Sequence, residues 1–281
     1  MSPTVRRPTN AVLACACACL VAWTAATPFA QGAFDHEYVA LASLLTAYLR
    51  GARVDYAALK ARRTTLDDLV RSFDAPNAAG EPRWTTNERL AFWINAYNVF
   101  TIRAIVDHYP IEGRVLSLWP RVSIRQIDGV WDTLAWKAAG RRVTLDEIEH
   151  TILRKQLKDP RIHAAVNCAS IGCPPLAPEP FRARDIDRQL DAAMRRYFAV
   201  PTGLKTVDGR VSLSSVFKWY GDDFVEKFAP AGPADRTTPL ERALLALVIR
   251  YGPPDAVRRA SQPGVRVDFL DYDWSLNDVP R

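Results

Sequence analysis

The sequence predicts an α+β fold dominated by helices: a single domain with a buried central helix and a small sheet or hairpins. Three features predict it. Apolar residues recur at helical spacing in several segments, the longest being ERLAFWINAYNVFTIRAIVDHY over residues 88–109. Two short segments, LKTVDGRVSL and VRVDFLDYDW, have the composition of strands. No internal repeat, low-complexity tract or long linker divides the chain, so residues 31–281 read as one globular domain. Of the 281 residues, 48% are hydrophobic and 24% charged, which excludes a disordered or collagenous chain. The net charge of +6 is scattered, with no basic run of the kind that marks a nucleic-acid footprint.

The elements follow in order. Residues 35–50 place Tyr38, Leu41, Leu44, Leu45 and Tyr48 on one helical face, with Gly51 as the expected C-cap. Residues 55–74 predict two short helices, the second with Leu66, Leu69 and Phe73 inward. PNAAGEP (76–82) reads as a loop. Thr85 with Glu88 forms a capping box that opens the longest helix, and Pro110 stops it. A loop-rich stretch with Trp119, Trp131 and Trp136 runs to about residue 142. Thr144 with Glu147 predicts a second capping box and a helix to Leu157. RIHAAVN (161–167) reads as a short strand. NCASIGCPPLAPEP (167–180) is a rigid loop because its four prolines forbid regular structure. An amphipathic helix is expected over 183–198. Asp208-Gly209 suits the turn of a hairpin in LKTVDGRVSL. Ser214 or Ser215 caps a helix through Phe228, another helix covers 239–251, and VRVDFLDYDW closes the fold as a strand.

The N-terminus reads as an address. Arg6 and Arg7 precede an apolar stretch from Ala11 to Ala22, too short to span a bilayer about 30 Å thick. A basic start, a short apolar run and then small residues describe a secretory signal peptide over residues 1–30. Cleavage is expected after Ala26, Ala30 or Gly32. Lipidation at Cys15, Cys17 or Cys19 is the competing outcome. The expected location is the periplasm or outside the cell, with no membrane span in the mature chain. Removing the signal leaves Cys168 and Cys173, and an even pair in an exported protein is first expected to be a disulfide.

The segments LAFWINAYN, VTLDEIEHTILR and RIHAAVNCASIGCPPL, in that order, resemble the domain-of-unknown-function 547 family over about Trp84 to Phe198. The flanking VDYAALK, VFKWYGDDF and LDYDWSLN resemble its bacterial members, so the likeness extends over nearly the whole mature chain. The resemblance implies an exported bacterial member but no established activity. Its recurrent polar positions fall here on Asn95, Tyr97, Asn98, His163, Asn167, Cys168 and Cys173.

Three constellations bear on chemistry. On the central helix, Asn95 and Asn98 share a face with Tyr97 beside them, among apolar residues on all sides. Either they and Asn167 bind substrate, or the amides pin neighbouring loops. The second constellation joins His163, as base, to Cys168 or Cys173, as nucleophile. Read as a strand, 161–167 puts His163, Ala165 and Asn167 on one face. The third is the acidic C-terminus, where Asp271 or Asp273 either orients His163 or simply ends a strand. No metal is expected: H-E-x-x-H is absent and His36, His108 and His150 are scattered. Glu147, Glu149 and His150 read as a solvated helix face. No cofactor is expected, for there is no glycine-rich phosphate loop, and the absence of G-x-S-x-G excludes a serine hydrolase elbow. Two functions remain: a thiol-centred hydrolase or transferase, or a non-catalytic binding or scaffold module stabilised by a disulfide. The partner is a small molecule or peptide. Asn95, Asn98, His163 and the Cys168–Cys173 loop are expected to meet in one concave site.

Overall fold

The computed structural model describes Met1 and residues 34–114, 116–207, 209–233, 235 and 238–280. The signal segment, with Arg6, Arg7, Cys15, Cys17, Cys19 and the expected cleavage positions, lies outside the described residues, as does Asp208.

The described residues from 34 to 280 form a helix-dominated α+β unit with small sheets of two or three strands. Helix α1 (Val39–Tyr48) buries Leu41, Leu44 and Leu45. It ends without a glycine cap, because Gly51 instead turns a short hairpin of β1 (Leu49–Arg50) and β2 (Arg53–Val54) at φ +62°. Helices α2 (Tyr56–Ala61) and α3 (Thr64–Ser72) follow as expected. PNAAGEP, expected to be a loop, lies in a 3₁₀ helix (Pro76–Arg83) that Pro76 pre-sets in φ. That helix delivers the buried Glu81, which accepts from Trp93 Nε1 and Arg89 Nε, each at 2.7 Å.

The central helix α4 (Thr86–His108) is the axis of the core. Its capping box is complete: Glu88 N donates to Thr85 Oγ1 at 3.3 Å, and Thr85 N donates to Glu88 Oε2 at 2.8 Å. From Leu90 to Ile102 every side chain is buried, so the helix is surrounded on all sides. The loop-rich stretch after it contains a hairpin that the sequence did not announce, β3 (Ala135–Ala138) with β4 (Arg141–Thr144). Its two turn residues, Ala139 and Gly140, both have positive φ, as a type I′ turn demands. Alanine rarely adopts that conformation, which is why the signal was missed.

Residues Glu147–Leu157 form a π-helix. Thr144 Oγ1 accepts from Glu147 N at 3.1 Å, but the Glu147 carboxylate turns to Arg141, so only half of the second capping box forms. The expected strand at RIHAAVN is absent. Pro160–Ala164 is a 3₁₀ helix, because Pro160 occupies its first position and the Asp159 carboxylate caps Arg161 N at 3.0 Å. The alternation that put His163 and Asn167 on one strand face therefore does not apply. Residues 165–182 carry no regular element, as the prolines require.

Helix α5 (Ile186–Phe198) buries an amphipathic face. Strands β5 (Leu204–Val207) and β6 (Arg210–Ser214) form the expected hairpin, and β7 (Arg266–Leu270) joins β6 in parallel. Strand β7 stops at Leu270, four residues short of the expected end. The single helix expected from Ser215 to Phe228 is broken at Tyr220 into α6 (Val216–Trp219) and α7 (Gly221–Phe228). Helices α8 (Pro239–Tyr251) and α9 (Pro254–Ala260) complete the fold. Among the described residues no helix is long and apolar enough to cross a membrane.

Candidate functional site

A cleft of about 640 Å³ opens beside α4, with walls from segments far apart in sequence. Its lining includes Tyr97 of α4, Glu149 of the π-helix and His163 of the 3₁₀ helix, all nearly inaccessible. Aromatic rings form much of the rest: Trp119, Trp131, Trp219, Tyr220, Tyr272 and Trp274. The exposed carboxylates of Asp128 and Asp132, and the half-buried one of Asp146, stand at its mouth.

His163 is fixed by Asp223. Its Nε2 lies 2.7 Å from Asp223 Oδ2, and its ring stacks on Tyr220 with centroids 4.0 Å apart. Asp223 also receives Arg154 Nε at 2.6 Å and Nη2 at 3.0 Å. Burial alone pushes the Asp223 carboxyl up, but the hydrogen bonds and charges of His163 and Arg154 outweigh it. They hold Asp223 well below the usual carboxylate range. The carboxylate accepts the proton at Nε2 and so fixes the ring's orientation, with Nδ1 turned toward Glu149. Nδ1 is buried without a hydrogen-bond partner and sits 4.0 Å from Glu149 Oε1. The Glu149 charge acts on the phenols of Tyr97 and Tyr220. Burial first, then the Glu149 charge, pushes both phenols up. Burial, with Glu149 and Asp132 nearby, also raises the Asp146 carboxyl against the opposing pull of His150.

Cys168 and Cys173 form a disulfide across five residues, with Cα atoms 6.1 Å apart, and both line the cleft. Cys168 N donates to Cys173 Sγ at 2.8 Å, and Cys168 Sγ lies 3.0 Å from the Tyr272 hydroxyl. The loop packs tightly on the C-terminal segment: Gly172 N donates to Asp273 O at 2.8 Å, and a Cβ at Gly172 would lie 2.9 Å from Asp273 N. Among the described hydrogen bonds, the nitrogens of His163 do not meet either sulfur.

The expected meeting of residues is therefore partial. Tyr97, His163, Cys168 and Cys173 share the cleft, whereas Asn95, Asn98 and Asn167 stand behind its wall. Asn95 pairs with both backbone groups of Phe181, donating at 2.8 Å and accepting at 3.0 Å. Asn98 donates to Ala165 O at 3.0 Å and accepts from Asn167 N at 2.8 Å. Asn167 donates to Pro174 O and accepts from Ala169 N. These amides satisfy backbone groups of residues 165–181, a stretch outside any strand whose other backbone bonds run in part to residues 273–277. They are positioning residues for the loop that carries the sulfurs.

Asp271 and Asp273 are exposed, and the group that orients His163 is Asp223. The sequence offered only the VFKWYGDDF segment as a pointer to it. Glu149, expected on a solvated face, is buried, because the π-helix turns it into the cleft. Arg125 was also missed, since a single arginine in an irregular stretch carries no pattern. Among the described residues no group of three His, Cys, Asp or Glu side chains stands together as a metal site.

The Asp223 shift predicts a pH dependence. Its folded pKa lies below the unfolded value of about 3.9, so the folded chain binds fewer protons in that range. The stabilisation is complete above about pH 5 and is lost as pH falls through the unfolded and then the folded pKa. Thermal unfolding midpoints measured from pH 7 down to pH 2 should fall. The fall should be shallower in Asp223→Asn; an identical slope contradicts the assignment.

The chain matches no curated protein and no solved structure. Residues 82–198 match the family described as protein of unknown function, DUF547. That span holds the central helix, the π-helix, His163 and both sulfurs.

Proposed function

We propose that the protein is an exported ligand-binding module, closed by its disulfide, whose cleft takes a small molecule or a short peptide. The observation that carries this reading is a preformed aromatic cleft of about 640 Å³ in which the candidate catalytic groups are engaged with other partners. The sulfurs are bonded to each other, and His163 is bonded to Asp223. Volumes of about 300–1,000 Å³ with aromatic walls and a few convergent polar groups are those of small-molecule sites. Trp219 remains 49% exposed although it lines the cleft, a poor use of an indole unless a ligand covers it. Export is supported by the basic and then apolar N-terminus and by the disulfide, which persists in oxidising compartments.

The test uses the indole N–H signals of the protein labelled with ¹⁵N, titrated with mixtures of monosaccharides, amino acids and tripeptides. Saturable shifts confined to Trp119, Trp131, Trp219 and Trp274 are expected, with Trp84, Trp93 and Trp136 unmoved. Indoles that stay silent, or shifts spread over all of them, overturn the cleft as a ligand site.

A thiol-centred enzyme is the second reading, favoured by one observation: Cys168 is partly exposed in the wall of the cleft that also holds His163. It requires the disulfide to be reduced before a thiolate exists.

A further inference from the structure

Arg125 sits in the cleft inside a cage of indoles. Its guanidinium carbon lies 4.1 Å from the Trp274 ring centroid, 4.5 Å from that of Trp119 and 4.9 Å from that of Trp131. The cage is built. Ser123, fully buried, donates to Trp274 O at 2.7 Å and accepts from Arg125 N at 3.2 Å, tying the arginine's backbone to one of its rings. Leu276 N donates to Val122 O at 2.9 Å beside it. Yet among the described residues no carboxylate or carbonyl accepts from this guanidinium, and its Nε is buried without a partner. Burial pushes its pKa down, and the groups that oppose this are Tyr272 and Tyr220 rather than a carboxylate. Arg154, by contrast, is satisfied, since it grips Asp223 in two bonds.

A half-buried guanidinium without a counter-ion carries a desolvation cost, and stacking on indoles offsets only part of it. What completes such a fork is an oxyanion presented in its plane. The acids Asp128, Asp132, Asp146 and Glu149 line the same cleft and disfavour a ligand with several negative charges. We infer that Arg125 receives the single carboxylate of the cleft's ligand, whose remainder is flat or apolar and carries no further negative charge. This rests on the proposed function of the cleft as a ligand site. A peptide C-terminus and a small organic acid both present this chemistry.

Benzoate is the direct probe, with benzamide as its neutral counterpart, phenyl phosphate as the dianion, and the C-terminal acid and amide of an acetylated tripeptide as the peptide arm. Three indoles touch Arg125, so binding is read by quenching of tryptophan fluorescence. Benzoate should bind about tenfold more tightly than benzamide, the low end for a charge-assisted pair. That preference should shrink as salt is raised and disappear in Arg125→Gln. It should be partly kept in Arg125→Lys, which retains charge without the planar fork. Because the preference is measured in the unmodified protein, an unstable variant does not remove the test. A tripeptide acid that outbinds benzoate assigns the carboxylate to a peptide end; the reverse order assigns it to a small acid. Equal binding of benzoate and benzamide overturns the inference and leaves the cleft a ligand site. Tighter binding of phenyl phosphate than of benzoate overturns the single-carboxylate assignment. No saturable response to any probe overturns the inference and counts against the cleft reading as well.

Discussion

Asn98→Ala should lower the free energy of unfolding by about 3 kcal/mol, because it strands two buried backbone groups at about 1–3 kcal/mol each. The amide of Asn98 is the partner of both Ala165 O and Asn167 N, and it is only 5% exposed. These two backbone groups lie in a stretch with no helix or strand to satisfy them, so an alanine leaves them empty. Urea unfolding of the variant checks this at an unchanged dependence on denaturant. A loss below about 1 kcal/mol would show that water replaces the amide and that the loop is not held from behind.

Arg161→Met should cost a similar amount, about 3 kcal/mol, by breaking a largely buried charge cluster. The Arg161 side chain is 8% exposed and bonds Asp159, Asp187 and Asp191. The three partners are not equal. Asp187 is 81% exposed and regains water, whereas Asp159 at 12% is left as a nearly buried charge with only Lys227 nearby. The loss should therefore come mainly from Asp159. Adding Asp159→Asn, which keeps the helix cap, should recover at least half of it. If the double variant is as unstable as Arg161→Met alone, the cost lies in packing of the arginine stem rather than in the stranded charge.

The parts of the fold legible in the sequence are those specified locally. Thr85 and Glu88 fixed the start of α4, and its unbroken apolar run announced a buried helix. The Asp208-Gly209 dipeptide announced the β5–β6 hairpin, and Gly209 has a φ of +78°. The family core expected from about Trp84 to Phe198 agrees with the matched residues 82–198. The failures have local causes too. The run IHAAV is apolar and short, which periodicity cannot assign, and the decisive cues were Asp159 and Pro160 just ahead of it. The π-helix and the break at Tyr220 have no sequence signature in the rules of helical spacing, yet together they bring Glu149 and Tyr220 to one cleft. The cleft itself was only half visible. His163 and the two cysteines stand close in sequence, but Arg125 and the four indoles converge on the cleft from separate segments and Asp223 reaches His163 from α7, which is a property of the tertiary fold.

The state of the two sulfurs tests the account most directly, since the ligand-binding reading needs them joined. Purified protein from its native compartment would be alkylated before and after reductant, and the peptides holding Cys168 and Cys173 weighed. The account predicts no label on either cysteine before reduction and one on each after it. It also predicts a stability loss of about 2 kcal/mol on reduction, as a short closed loop implies. Two cysteines rapidly labelled in the native protein without reductant would contradict it and place a free thiol in the cleft beside His163.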